Sequence, residues 1–358
     1  MTLTDISYSR LYSQQIAETK FKTAKEMVGW MGAMQAQDYA MVKWALGVRL
    51  PNSTDQLIES AIDKGEIIRT HLLRPTWHLV SADDIYWMLE LSAPQIKAIL
   101  KSRLRDLELT ETVLSQTNTI IEKTLAGNNH LTREELAALF ENAKIATNDN
   151  RLSHIMLQAE MEGIVCSGAI KNKKQTYALL PERVMKTKTL TREEALAKLA
   201  HRYFSSHAPA TLQDFIWWSG LSVKDARNAL EMIKPDFISE TIDSETYWLT
   251  NSLSIPKKEK PAVYLLPAFD EFIISYRDRT ASLVFENHKK AVSNNGIFRP
   301  VIVVNGQVTG LWKRTLKKDT VIIETDFFQP HDQTVIKLIE EKIKTFGSFL
   351  GKETSVIL

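Results

Sequence analysis

The sequence predicts an α+β fold: three tandem units of helices, each closed by a hairpin, and then a β-rich C-terminal domain. Three observations carry that expectation. The hexapeptide Leu131-Thr-Arg-Glu-Glu-Leu136 recurs almost unchanged as Leu190-Thr-Arg-Glu-Glu-Ala195, the mark of an internal repeat. Helical periodicity and then a short β-prone pair follow each copy. From Pro261 onward, by contrast, β-branched and aromatic runs dominate.

Each repeat opens with a capping box, in which Thr132 or Thr191 caps a helix and Glu135 or Glu194 reaches back. An amphipathic helix follows in the first copy over Leu152–Gly163, with Leu152, Ile155, Met156 and Ala159 on one face. Val223–Ile233, behind a Ser222 cap, plays that part in the second. The β-like tails are Ile164–Leu180, with a basic tip at Lys171, Lys173 and Lys174, and Ile238–Thr250 around Asp243-Ser-Glu245. Helix, helix, helix and hairpin is the order of a winged helix. The first hundred residues fit the same plan: helices over Thr23–Met34 and Thr54–Lys64, then a hairpin from Ile67 to Val80. Ser81–Asp84 caps a further helix that Pro94 ends or restarts. The expected domains are residues 1–105, 106–185 and 186–252 as winged-helix units, and 253–358 as the β-rich domain.

In that last domain, strands are expected at Val263–Leu266, Ile273–Tyr276, Pro300–Val304, Val308–Arg314 and Thr320–Thr325. Asn305-Gly306 is a two-residue hairpin signal. Asn251–Lys260, rich in Ser, Pro and Lys, reads as the linker, and Gln333–Phe346 as a closing helix.

With 44% hydrophobic and 25% charged residues, the chain has the composition of a soluble globular protein. One cysteine, Cys166, excludes an internal disulfide framework and a thiolate zinc site. No basic-then-apolar leader and no membrane-length apolar run is present, so a cytoplasmic address without membrane contact is expected. Net charge is only +2, but Asn251–Lys318 carries twelve Lys and Arg against five Asp and Glu. Such a stretch suits a polyanion-facing surface or a solvated lysine-rich one. Phosphate-cradling loops, nucleophile elbows and metal-ligand spacings are absent, and 13 glycines in 358 residues argue against nucleotide cofactor folds. No cofactor or metal is expected.

Three constellations remain. Met34-Gln35-Ala-Gln37-Asp38-Tyr39 sets two carboxamides at i and i+2, which can face one side of an extended segment or simply end a helix. Arg69-Thr-His71-Leu-Leu-Arg74-Pro-Thr-Trp77-His78 interleaves cations and imidazoles with Trp; packing of His78 and Trp77, with His78 hydrogen-bonded to backbone, is the equal alternative there. Pro267–Arg279 alternates charges at Asp270, Glu271, Arg277, Asp278 and Arg279 beside Tyr276. A buried salt-bridge lock between domains explains that pattern better than catalysis.

Met34–Leu46, Arg69–Val80 and Pro267–Arg279 together resemble the signature stretches of the AlkZ-like winged-helix family, which includes the YcaQ-like proteins. The match in order and spacing covers almost the whole chain. The resemblance implies DNA glycosylase activity on bulky or cross-linking N7-alkylpurines, with Gln35 and Gln37 as the catalytic Gln-x-Gln. It also implies Asp270, Glu271, Tyr276, Arg277 and Arg279 as a structural signature.

The chemistry suits two amides. An N7-alkylated purine already carries positive charge, so its departure needs little acid help. What remains is to hold a water at the anomeric carbon and favour the cationic sugar, and amide carbonyls can do both. Asp38 is a second candidate base, and His78 a candidate support. Double-stranded DNA, damaged, is the expected partner of a monomer that joins the nucleoid when bound. Arg69, His71, Arg74, Lys171, Lys173, Lys174, Lys313 and Arg314 are candidate DNA contacts. The Val304–Val308 hairpin, or the strand at Trp312–Arg314, could probe a groove beside the lesion, or the hairpin could be purely structural. The alternative is a non-catalytic winged-helix DNA-binding protein, a regulator or architectural factor, with an interaction scaffold behind it.

Overall fold

Capping chemistry decides where most of the helices begin. The computed structural model describes residues 1–186, 189–251 and 261–357. The expected linker thus lies, apart from Asn251, outside the described residues. Thr132 Oγ1 accepts from the Glu135 N–H at 3.2 Å, and the Thr132 N–H donates to the Glu135 carboxylate at 2.7 Å. Thr191 and Glu194 repeat the arrangement at 3.2 and 2.7 Å. Reciprocal satisfaction of otherwise orphaned amides is what makes the hexapeptide start a helix.

The chain forms two compact units, Met1–Glu59 with Leu196–Leu358, and Ser60–Ala195. An order of helix, short strand, two helices and hairpin occurs three times. It runs first through Ala24–Met31, Ala33–Gln35, Tyr39–Arg49, Asp55–Asp63, Ile67–Leu72 and Thr76–Ser81. Next come Glu111–Leu125, Leu131–Thr132, Arg133–Asn142, Arg151–Met161, Val165–Ser167 and Thr176–Leu179. Last come Arg192–Ser206, an isolated bridge at Ala210, Leu212–Ser219, Val223–Ile233, Phe237–Ile242 and Glu245–Thr250. In the second, Thr176–Leu179 is the central strand, antiparallel to both Leu131–Thr132 and Val165–Ser167. Its core gathers Ile121, Leu125, Leu136, Phe140, Ile155 and Met156.

Pro94 neither ends nor restarts its helix, which runs unbroken over Ile85–Asp106. Proline removes the bond to the Glu90 carbonyl, but Glu90 and Pro94 both lie on the exposed face, where water can take that carbonyl. Trp87, Met88, Leu91 and Ile96 hold the opposite face in the core.

The C-terminal portion is a five-stranded sheet in the spatial order Glu353–Ile357, Thr320–Phe327, Gln307–Leu316, Val301–Val304 and Val263–Leu266. The pairs are antiparallel except the outermost, where Glu353–Ile357 runs parallel to Thr320–Phe327. That last strand was not expected, and neither was the extension of the preceding helix to Leu350. Trp44 and Trp312 each donate an indole N–H at 2.8 Å, to the carbonyls of Leu265 and Leu266, which pins the Val263–Leu266 strand. The expected strand at Ile273–Tyr276 is instead a helical turn, Glu271–Ile274. Asp270 caps it through the Phe272 N–H at 2.9 Å, and all four of its residues are buried, so no two-faced alternation exists to favour a strand.

The hairpin at Asn305-Gly306 forms as expected, with φ of 51° and 84°. It is packed rather than presented. A Cβ on Gly306 would sit 2.8 Å from Ser7 Oγ and 3.0 Å from the Tyr8 nitrogen. Gln307 Nε2 also donates to Ser7 Oγ at 2.9 Å and to the Ala281 carbonyl at 2.6 Å. Of the two readings of this hairpin, the structural one fits: its tip is occupied by the N-terminal helix Leu3–Ser13 and is not open to a groove.

Candidate functional site

Gly32 ends the Ala24–Met31 helix with φ of 79°, a conformation that L side chains rarely adopt, and thereby turns the chain into the strand Ala33–Gln35. That strand is wholly buried. Two residues on, Gln37 is exposed, so the two carboxamides are presented differently: Gln35 is sealed and Gln37 open. Asp38 is committed as the N-cap of the Tyr39–Arg49 helix, one carboxylate oxygen accepting from the Ala40 and Met41 amides at 3.1 and 3.0 Å. That oxygen is thereby engaged in starting the helix.

Beneath Gln35 lies Glu271, 2% exposed. The Gln35 N–H and the Ser275 hydroxyl both donate to its carboxylate over short hydrogen bonds. The Trp218 indole N–H adds a third at 3.3 Å, and His207 Nε2 stands 3.7 Å away. Burial pushes the Glu271 carboxyl upward, but His207, Ser275 and the Gln35 amide outweigh it and hold the group below the usual carboxylate range. His207 is lowered in turn, first by burial and then by Arg49, against the pull of Glu271. Its ring stacks on Tyr203 at 4.8 Å, its Nδ1 is 2.8 Å from the Ser206 hydroxyl, and Tyr203 donates to the Ser275 carbonyl at 3.0 Å.

The neighbouring acid is spent differently. Asp270 takes a two-pronged bond from Arg49, both contacts 2.9 Å. The remaining Arg49 N–H groups reach the carbonyls of Gln14 and Ala45 at 3.0 Å each and Gln14 Oε1 at 2.9 Å. All five guanidinium donors are thus satisfied out of water. Tyr276 donates to the His207 carbonyl at 2.8 Å, accepts from Gln14 at 2.9 Å, and lies under the Arg10 guanidinium at 3.4 Å. Arg277 donates to Gln213 at 2.7 Å, and Arg279 to the Ile273 carbonyl at 3.0 Å. The lock expected of this stretch is present, and Arg49 and Asp270 belong to one unit rather than to two.

Several candidate DNA contacts have internal partners. In the Ser60–Ala195 unit, Arg69 is 7% exposed, lies 4.0 Å from the Trp77 ring centroid and donates to Gln175 at 2.5 Å. His71 Nδ1 stands 2.5 Å from the fully buried Glu160 carboxylate. His78, 1% exposed with Nδ1 2.9 Å from the Thr76 carbonyl, is a packing histidine. Arg74 is half-buried. Lys171 pairs with Glu135 at 2.7 Å, which takes that carboxyl down to about 2, and Lys174 pairs with Glu134 at 3.5 Å. The two glutamates of the capping hexapeptide thereby offset the basic tip, on which Lys173 is exposed. In the other unit, Lys313 pairs across the sheet with Glu324 at 2.7 Å. Arg314, half-buried, faces the Phe346 ring at 5.9 Å; burial lowers its pKa, and the charges of Asp38 and Asp55 oppose that.

Ser275, Trp218, His207, Arg49 and Gln14 went unnoticed in the sequence. Of these, Arg49 left a trace there, as one of two cations, with Lys43, on the mostly apolar Tyr39–Arg49 helix. Among the described residues, no group of three or more His, Cys, Asp or Glu could hold a metal ion, and no helix is long and apolar enough to cross a membrane. Cys166 is buried, which pushes its thiol up to about 12.

The mixed helix and sheet fold is shared with a solved DNA glycosylase. The Streptomyces sahachiroi DNA glycosylase AlkZ superposes with a TM-score of 0.82 at 18% identity, over 100% of both chains. Among curated proteins none matches. The family model for AlkZ-like DNA glycosylases matches residues 28–349, and the chain belongs to that family.

Proposed function

We propose that this protein is a monofunctional DNA glycosylase that hydrolyses the N-glycosidic bond of bulky or cross-linking N7-alkylpurines. The observation that carries this reading is the pairing of a sealed Gln35 with an exposed Gln37 directly above a buried carboxylate. The amide carbonyl of Gln37 accepts a hydrogen bond from water, and Gln35 braces the segment and turns its own dipole toward the sugar. As the bond breaks, its electron pair passes to the purine nitrogen and neutralises the alkylated base. Water adds to the anomeric carbon and loses its proton to solvent, leaving a free base and an abasic site. Neutral amides are weak bases, so such a site favours cationic, labile lesions.

A lyase step would require a free amine. Lys43, on the helix that follows Gln37, is held by Asp55 at 2.7 Å and Glu59 at 3.1 Å, which supports the monofunctional reading. The three recurrences of helix, strand, two helices and hairpin read as winged-helix units spanning residues 1–105, 106–185 and 186–252, with 253–358 as the β-rich domain. Helix Val223–Ile233 exposes Lys224 and Arg227 and is the better placed of the later two to meet duplex DNA, because Arg151–Met161 is largely buried. A monomer acting on duplex DNA in the cytoplasm completes the proposal.

The test is a duplex carrying a single bulky N7-alkylguanine, incubated with protein and then cleaved at abasic sites with alkali. Strand breaks are expected, and are expected to vanish in Gln37→Ala with DNA affinity nearly unchanged. Tight binding without breaks on any adduct would instead favour a non-catalytic DNA-binding protein.

A further inference from the structure

Glu271 differs from the two other buried acids of its unit, Asp270 and Asp214. Asp270 has Arg49 as its counter-charge, and Asp214 has Arg10 at 3.7 Å. The donors to Glu271 are by contrast neutral groups: a backbone amide, a hydroxyl and an indole. Among the described residues the one titratable neighbour in ion-pair range is His207, which draws the carboxyl down although burial disfavours its own cation. A glutamine here could accept from the Gln35 N–H equally well and would avoid the cost of burying a charge. What only a carboxylate adds is net negative charge, one hydrogen bond away from a candidate catalytic residue, and a second acceptor oxygen, which takes the Trp218 and Ser275 donors.

Resting on the glycosylase reading above, we propose that Glu271 is a positioning residue for base release: its sealed negative charge, acting through the Gln35 peptide, favours the sugar as it becomes cationic. Fixed charge in a water-free site needs no reorganisation during the reaction and is screened far less than charge in solvent. The carboxylate touches no reacting atom. Its four neighbours hold it in place, and Gln35 stands between it and the open segment that carries Gln37. This arrangement also gives a reason for the Gly32 turn and the buried strand: together they deliver a backbone N–H, rather than a side chain, to the carboxylate.

The test compares wild type with E271Q, which keeps the size and the acceptor for the Gln35 N–H but removes the charge and the second acceptor oxygen, and with E271D, which keeps the charge and both oxygens. Single-turnover base release from the N7-alkylguanine duplex is measured at saturating protein, and Kd on the same duplex by anisotropy. E271Q is expected to release base on the order of tenfold more slowly, less than the 10²–10³ found when a direct transition-state donor is removed, with Kd within twofold of wild type. A slowing of less than fivefold, or a loss of rate matched by a loss of affinity, overturns the proposal. Should E271Q fail to fold by circular dichroism, E271D carries the test, because it retains the charge: release within tenfold of wild type supports the proposal and a larger loss overturns it. Wild-type protein that releases no adduct refutes the glycosylase reading and this proposal with it. Wild-type release with an unchanged E271Q rate overturns only the role of Glu271.

Discussion

Replacing Asp270 by asparagine removes the only counter-charge bonded to the Arg49 guanidinium among the described residues, while leaving an acceptor to cap the Phe272 N–H. Both side chains are essentially sealed, at 0% and 1% exposed, so water cannot take over the lost contacts. Breaking such a pair strands a buried cation, which costs about 3–5 kcal/mol, whereas an exposed pair is worth at most about 1. With a urea m-value of about 3 kcal/mol/M, a loss of about 4 kcal/mol lowers the unfolding midpoint by roughly 1.3 M. The assay is equilibrium urea unfolding followed by circular dichroism and by tryptophan fluorescence, at one pH and salt concentration. The double variant R49M/D270N is expected to recover about half of the loss, because no charge then remains buried, although the acceptors at Gln14 and Ala45 lose their donors. A midpoint shift below about 0.3 M for D270N, equivalent to under about 1 kcal/mol, would show that the pair is solvated and that the lock is not what holds this unit.

Two further outcomes follow from single sites. Because burial lowers the His207 pKa in the folded protein, the unfolded chain binds a proton below its ordinary value of 6.5 that the folded chain refuses. Stability therefore falls as pH drops through 6.5, by up to about 1.4 kcal/mol per pH unit for this one group. H207Q should flatten the urea midpoint between pH 7 and 5 relative to wild type, and an identical slope in both proteins would refute the assignment. Gly306→Ala forces a Cβ to 2.8 Å from Ser7 Oγ at φ of 84°. It should cost about 2 kcal/mol, read as a lower melting temperature, and an unchanged melting temperature would mean that the hairpin tip moves freely away from the N-terminal helix.

Much of the fold was legible in the residues. The capping boxes at Thr132 and Thr191, the Ser222 cap and the Asn305-Gly306 turn are local devices: each is completed within four residues, so short-range chemistry determines it. The helix–helix–hairpin order followed from these signals, and the repeat could be seen without any tertiary information. Readings failed where burial overrode local preference. Ile273-Ile274 looks β-prone yet completes a capped turn, and Pro94 looks like a helix breaker yet sits on a solvent face. Arg69 and His71 read as phosphate contacts in the sequence, and the folded chain adds to them Trp77, Gln175 and Glu160 as internal partners.

The candidate site divides along the same line. Gln35 and Gln37 could be picked out as a spaced pair of amides, because the spacing is written in the chain. That one is sealed and the other open could not, since it depends on where the strand after Gly32 enters the core. Asp38 reads as a candidate base in the sequence, and its role as a helix cap is visible only in the fold. Glu271 meets Gln35 across 236 residues, and Arg49 meets Asp270 across 221. The sequence by itself determined the local elements, their order and the chemical repertoire of amides, carboxylates and cations. Only the tertiary structure decided which charge met a guanidinium and which met a histidine and neutral donors beside Gln35, because desolvation and pairing are properties of a packed interior and not of a neighbouring residue in the chain.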